Sequence, residues 1–350
     1  MSRGATANDA PAPSSAADWS RAIRRFRTPS NGRAIAELAL TLVPFVVVWC
    51  LVYMAWARRM PWAAVPLALL ASGLLIRLFL IQHDCGHGAF FASRHANDWL
   101  GRILGVFTLT PYAHWRTAHA MHHATHGNLD RRGVGDVDTL TVSEYLARSS
   151  WARWRYRLYR HPAVLFGIGP AYVFLVTNRI PAGFMRGGWR PWLSTMGTNL
   201  AIGIAGALLA QALGLGSLLV VHAPIVLVAA LAGVWLFYIQ HQFEHSYWTH
   251  ASGWMSRNAA LLGSSHYAMP PPLRWLTANI GIHHVHHLSS GVPFYRLPDV
   301  LRAHPTLANT NRVTLRQSLG CATLALWDES SQRLVRFADL GRAGANTIRS

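Results

Sequence analysis

Apolar and polar positions along this chain segregate into long blocks. From Leu38 to Ala57 twenty consecutive residues carry no charge (LALTLVPFVVVWCLVYMAWA), enough as a helix to cross a hydrocarbon core of about 30 Å. After Arg58 and Arg59 a second apolar run, Pro61 to Gln82, has Arg77 as its one charge and leads straight into His83; Arg77 sits near enough to the end to snorkel outward. The longest charge-free stretch covers 53 residues, Pro191 to Phe243, about twice what one crossing requires. A Gly-Leu-Gly break at Gly214 to Gly216 divides it into spans at 192–213 and 217–239. The pattern predicts two hairpins of membrane spans. Two other apolar stretches are ambiguous: 99–113 is too short to span comfortably, and 161–178 is interrupted by Pro162, Gly167, Gly169 and Pro170. Four crossings return the chain to its starting side after each hairpin, so both termini and the long segments after each hairpin share one side.

This pattern also sets the domain organisation. Residues 1–18 are small, polar and Pro-bearing and lack the apolar core of a secretory signal; they read as a disordered tail. Residues 19–304 read as the membrane domain. Residues 305–350 read as a C-terminal segment on the same side as the tail, with apolar residues of 315–335 at roughly helical spacing. The fold expected is all-α and integral to the membrane: four spans in two hairpins, with a cytoplasmic helical cap.

Composition sharpens this picture. Of 350 residues 51% are hydrophobic and 13% charged, where a soluble domain carries about 25% charged. The net charge of +18 comes from 32 basic residues, all Arg, against 14 acidic, which suggests either nucleic acid or an anionic membrane face. Position decides between them. Six arginines precede the first span, 13 lie between Arg94 and Arg190, and ten run from Arg257 onward, so 29 fall on the shared side, which the positive-inside rule makes cytoplasmic. Arg58 and Arg59 fall in the outer turn against that rule. A nucleic-acid surface would interleave basic residues with exposed aromatics on a soluble fold, whereas these arginines border spans. Cys50, Cys85 and Cys321 are too few and too scattered for a disulfide framework.

The chemistry lies in an excess of histidine, 19 in all. His83 and His87 stand at i, i+4 where the second span ends, one turn apart on a helical face, so their imidazoles can converge on one metal; the blander reading has them meeting the last helix carbonyls. His119, His122 and His123 follow the pattern H-x-x-H-H, three imidazoles on one helical face, and His283, His286 and His287 repeat it. His241 and His245 form another i, i+4 pair continuing the last span past its end. The four elements supply ten imidazoles, more than one metal takes, which implies two metals. Ligand type alone leaves Zn, Cu, Fe and Ni open. Asp84 and Glu244 lie inside the clusters and are candidates to orient the ligating imidazoles through their second ring nitrogens. Asp130, Asp136 and Asp138 fit equally an acidic loop beside Arg131 and Arg132. His126 and His284 adjoin clusters without fitting the repeat and are not assigned as ligands. His95, His114, His161, His222, His250, His266 and His304 are isolated and read as surface or packing residues.

HDCGHGAF (83–90), WRTAHAMHHATHGN (115–128), QHQFEH (240–245) and NIGIHHVHHLSSGVPFYRLPD (279–299) resemble the membrane fatty acid desaturase family, bacterial acyl-chain desaturases in particular, and the likeness runs from the second span to Asp299. It implies a non-haem di-iron centre held by the ten histidines at the cytosolic face of a bacterial inner membrane, with His241 and His245 the least secure because that block varies between branches. It also implies O2-dependent insertion of a cis double bond into an acyl chain carried on lipid, CoA or acyl carrier protein. The electrons would come from a separate ferredoxin, rubredoxin or cytochrome b5-like protein. Trp115, Tyr112, Tyr247, Trp248 and Trp275 are candidates to line an acyl channel or to form an interfacial belt. Two rivals stand beside this reading. The same site could end in hydroxylation or ketolation of an alkyl chain or carotenoid. A non-catalytic zinc carrier would need ionisable residues within the spans, where only His222 and Arg77 are available.

Overall fold

The computed structural model describes residues 15–133, 135–181 and 188–340. It begins with a short helix, α1 (Ala16–Ala22), whose start is fixed by a capping box between Ser15 and Asp18. Helical structure thus reaches into the last residues of the stretch read as a tail, while residues 1–14 lie outside the described ones.

The first hairpin consists of α2 (Asn31–Ala57) and α3 (Pro61–His87). α2 starts seven residues before the charge-free run because its first turns are capped by Ser30 and closed by the Arg33–Glu37 ion pair at 2.8 Å. Arg77 does not snorkel. It is 1% exposed, pairs with buried Glu37 of α2, donates to Thr41 Oγ1 at 3.0 Å and to the Trp275 carbonyl, and lies 4.2 Å from the Trp275 ring centre. The reason is the carboxylate opposite it: a charge within apolar helices is held where a partner neutralises it.

After the first hairpin come α4 (Arg94–Phe107) and α5 (Tyr112–Thr125). α4 is amphipathic, exposing Trp99, Ile103 and Phe107 while burying Leu104 and Asn97, as suits a helix lying on a membrane surface. The ambiguous stretch at 161–178 is broken into a π turn (Val164–Ile168), a short helix (Gly169–Leu175) and a 3-10 turn (Thr177–Arg179), too interrupted to cross. The second hairpin is α6 (Trp189–Leu213) and α7 (Leu215–His241). It turns at Gly214, whose φ of 83° lies where residues with a Cβ are strained.

Apolar residues point outward from these four helices, among them Leu40, Val43 and Leu51 on α2, Trp62 and Leu69 on α3, Leu200 and Leu208 on α6 and Leu219 on α7. So large an apolar exterior belongs in lipid. Lipid also removes the hydrophobic drive for helix to pack on helix, leaving close packing and polar links. The hairpins are joined by such links: Trp49 Nε1 donates to His222 Nδ1 at 3.3 Å, and the Tyr53 hydroxyl to the Leu213 carbonyl at 3.3 Å.

Beyond α7 the cap is completed by α8 (Ser256–Leu262) and α9 (His283–Leu288). Among the described residues of the C-terminal segment, the α-helix covers Leu315–Cys321 and is followed by strands. Strand Leu326–Asp328 pairs parallel with Leu140–Thr141, with Leu140 opposite Leu326, and antiparallel with Arg333–Val335. Arg312–Thr314 adds to His266–Ala268 in parallel. Trp327, Leu324 and Leu334 from this segment are buried against Phe243, Trp248 and Tyr238. Each such side chain contributes about 1.5–3 kcal/mol by burial, which lets strands of two or three residues clasp the cap.

Candidate metal centre

α3 and α7 both end in histidine at the same face of the molecule, and α5 and α9 lie across those ends. Among the described residues, imidazole nitrogens converge in two large groups: His83, His87, His119, His123 and His286 in one, and His122, His241, His283 and His287 in the other, with every donor of a group within 4.8 Å of the rest. The two H-x-x-H-H repeats divide reciprocally. On α5 the i, i+4 pair His119 and His123 enters the first group and His122 the second; on α9 the pair His283 and His287 enters the second and His286 the first. Each short helix therefore bridges both groups. His123 and His287 stack at the boundary with ring centres 4.0 Å apart.

Within each group the imidazole nitrogens lie within hydrogen-bond range of one another. In the first, Nε2 of His119 is 3.1 Å from Nε2 of both His87 and His123, and His123 is 3.3 Å from His286. In the second, Nε2 of His241 is 3.0 Å from His283 and 3.1 Å from His122, and His122 is 3.3 Å from His287. A nitrogen with two such neighbours has only one proton or one lone pair to offer, so hydrogen bonding cannot satisfy these chains. A cation at each centre satisfies all the nitrogens together, and the donor sets fit one. Burial, followed by the neighbouring imidazoles, holds His119, His123, His283, His286 and His287 well below the usual histidine range. These rings are neutral, as metal ligands must be.

The residues around the groups fix ring orientation. His122 Nδ1–H donates to Asp136 Oδ1 at 2.6 Å. Burial alone would push the Asp136 carboxyl up, but His122 beside it holds it well below the usual carboxylate range. Asp84 Oδ1 lies 3.4 Å from His83 Nδ1, while its Oδ2 accepts from the Phe294 backbone N–H at 2.7 Å, tying the end of α3 to the loop after α9. His241 Nδ1 faces the Gly263 carbonyl at 3.3 Å and His126 Nε2 at 3.2 Å. Asp136 and His126 were not among the sequence-derived site residues. The available signals were a fourth imidazole one turn beyond His122 and a carboxylate in the loop that follows.

His245 and Glu244 stand elsewhere. α7 stops at His241, and Gln242 leaves the helix with φ −111° and ψ 71°. Arg160 Nη2 donates to Gln242 Oε1 at 2.9 Å, and the next turn carries both Glu244 and His245 to the exposed surface. The two groups form without His245, and Glu244 pairs with Arg333 at 3.2 Å. Of the isolated histidines, none enters a group; His284 is buried with Nε2 on the Leu307 carbonyl at 2.9 Å. Of the aromatics, Trp115 stacks on His119 with centres 4.7 Å apart and Trp248 lies 5.8 Å from His126. Tyr112 is buried on the Cys85 carbonyl, Tyr247 bonds Gly253, and Trp275 covers Arg77.

Residues 60–318 match the family model described as fatty acid desaturase. The chain is 42% identical to the fatty acid desaturase of Bacillus subtilis over 315 residues, 90% of this chain and 89% of that one. It is 31% identical to the sn-1 acyl-lipid omega-3 desaturase (ferredoxin) of Synechocystis sp. over 250 residues, 67% of this chain and 66% of the relative. It is 27% identical to the endoplasmic reticulum omega-3 fatty acid desaturase of Vigna radiata over 256 residues, 69% of this chain and 65% of the relative.

Proposed function

Since this chain belongs to the fatty acid desaturase family, we propose that it inserts a cis double bond into an acyl chain at a di-iron centre held by nine histidines, five on one metal and four on the other. The observation that carries this is the pair of convergent nitrogen sets at the ends of membrane spans. Five imidazoles exceed the four donors of a closed structural zinc site, and imidazole suits iron. Bound iron would supply the oxidising power: a saturated C–C pair, O2, two electrons and two protons give one double bond and two waters.

The protein's own residues hold and orient. Asp136 and the Gly263 carbonyl, accepting from Nδ1–H of His122 and His241, keep these imidazoles in the tautomer that leaves Nε2 free toward the metal. Trp115, stacked on His119 and packed edge-on to Phe79 at 5.5 Å, borders the first group with an apolar wall suited to an alkyl chain; fixing one C–C bond there sets rate and regiochemistry. The arginine distribution supports a cytoplasmic site with both termini on that side; we place the protein in a bacterial inner membrane, with residues 19–304 as the catalytic unit. The name of the Synechocystis relative supports an acyl-lipid substrate and a separate donor such as a ferredoxin.

Expression in a host lacking desaturases, with gas-chromatographic location of new double bonds, tests the proposal. Unsaturated chains that depend on O2 are expected. Oxygenated chains without a new double bond would replace desaturation by hydroxylation on the same site.

A further inference from the structure

One recess at the rim of the second histidine group differs in character from the rest of the cap. It is lined by Arg24 and Arg27 from the N-terminal segment, Arg257 from α8, and Ser289, Ser290 and His287 at the end of α9. Arg257 lies more than 200 residues from Arg24 and Arg27 in sequence, and the fold brings it to them. Among the described residues none of them forms an ion pair with a carboxylate, although other arginines nearby do: Arg21 pairs with Asp18 and Arg296 with Asp299. Guanidiniums gathered around one opening repel one another unless an anion joins them. Arg27 lies flat on the backbone at Gly291, where a Cβ would come within 2.7 Å of Nε, so a residue without a side chain admits it to the recess. Arginine forks beside serine hydroxyls make a donor set for a phosphate oxyanion, and at about 330 Å³ the recess suits a headgroup-sized anion rather than a flat protein face. One wall is His287, a member of the second metal group.

We infer that this recess binds the phosphate ester of the acyl carrier, anchoring it beside the metal centre while the acyl chain reaches the irons. The inference rests on the desaturase reading for what the phosphate carries. The phosphate has two sources, a phospholipid headgroup or the phosphates of coenzyme A and phosphopantetheine.

The test is equilibrium binding of dihexanoyl phosphatidic acid and of coenzyme A to the full-length, iron-loaded protein in detergent, with dihexanoylglycerol as the uncharged control. At least one anionic probe should bind. R24Q, R27Q and R257Q should each weaken it on the order of 10-fold, as loss of a charge-assisted hydrogen bond does, with the Lys replacements keeping part of the affinity and iron content unchanged throughout. The probe that loses affinity identifies the source. Absence of binding by both anions, or equal affinity in wild type and triple variant, overturns the inference. Arginine-dependent binding in a protein that yields no double bonds would instead count against the desaturase reading alone.

Discussion

His83/His87 and His241/His245 have the same i, i+4 spacing at the ends of α3 and α7, yet they end differently. α3 continues through His87 and stops at Gly88, whose left-handed φ of 68° caps the helix, so both imidazoles enter the first group. α7 stops at His241, and the following residues carry His245 into solvent. Spacing delivers a pair of ligands only while the helix lasts. The difference traces to Gln242, which is drawn out of the helix by Arg160, a buried guanidinium that also donates to the Leu324 carbonyl at 2.7 Å and Tyr238 hydroxyl at 3.2 Å.

The largest effects are expected at the histidines that enter the two groups. His87→Ala and His241→Ala should each lower desaturation by more than about 100-fold, beyond the loss usual for an outer partner, while the protein still inserts into membranes; product analysis with membrane fractionation checks both. Removing an outer partner should cost less. Asp136→Asn keeps the shape but weakens the orientation of His122, and an iron affinity or rate lower by about 10–100-fold is expected, measured by metal titration. Arg160→Met attacks the break itself. Losing its charge-assisted hydrogen bonds to Gln242 and Leu324 should destabilise the protein by about 3 kcal/mol, read as a lower midpoint in detergent unfolding; an unchanged midpoint would mean that Arg160 does not hold the end of α7. Smallest of all, His245→Ala should leave activity within about twofold and stability within about 0.5 kcal/mol, as expected for an exposed position.

The spans were legible because bilayer thickness fixes the length of a charge-free run, and Leu38–Ala57 and Pro191–Phe243 meet that requirement without tertiary information. Their ends were less so: α2 starts at Asn31 because Arg33 and Glu37 satisfy each other on the helix. The histidine boxes were legible as metal-binding patterns, but their division between two groups was not, since which imidazole joins which depends on how α5 and α9 cross the ends of α3 and α7. Asp136 reaches His122 across a loop that no periodicity describes. Arg77 faces inward because of a carboxylate 40 residues earlier. Strand Leu326–Asp328 pairs with Leu140–Thr141, nearly two hundred positions earlier, and the apolar spacing over 315–335 reads equally as helix until that partner is known.

Nine histidines, with His245 excluded, are proposed to hold the two metals. Iron content per chain of the purified full-length protein, compared among wild type, His245→Ala and His241→Ala, tests that assignment directly. Two irons per chain are expected in wild type and in His245→Ala, and a deficit in His241→Ala. Loss of iron from His245→Ala equal to that from His241→Ala would contradict it.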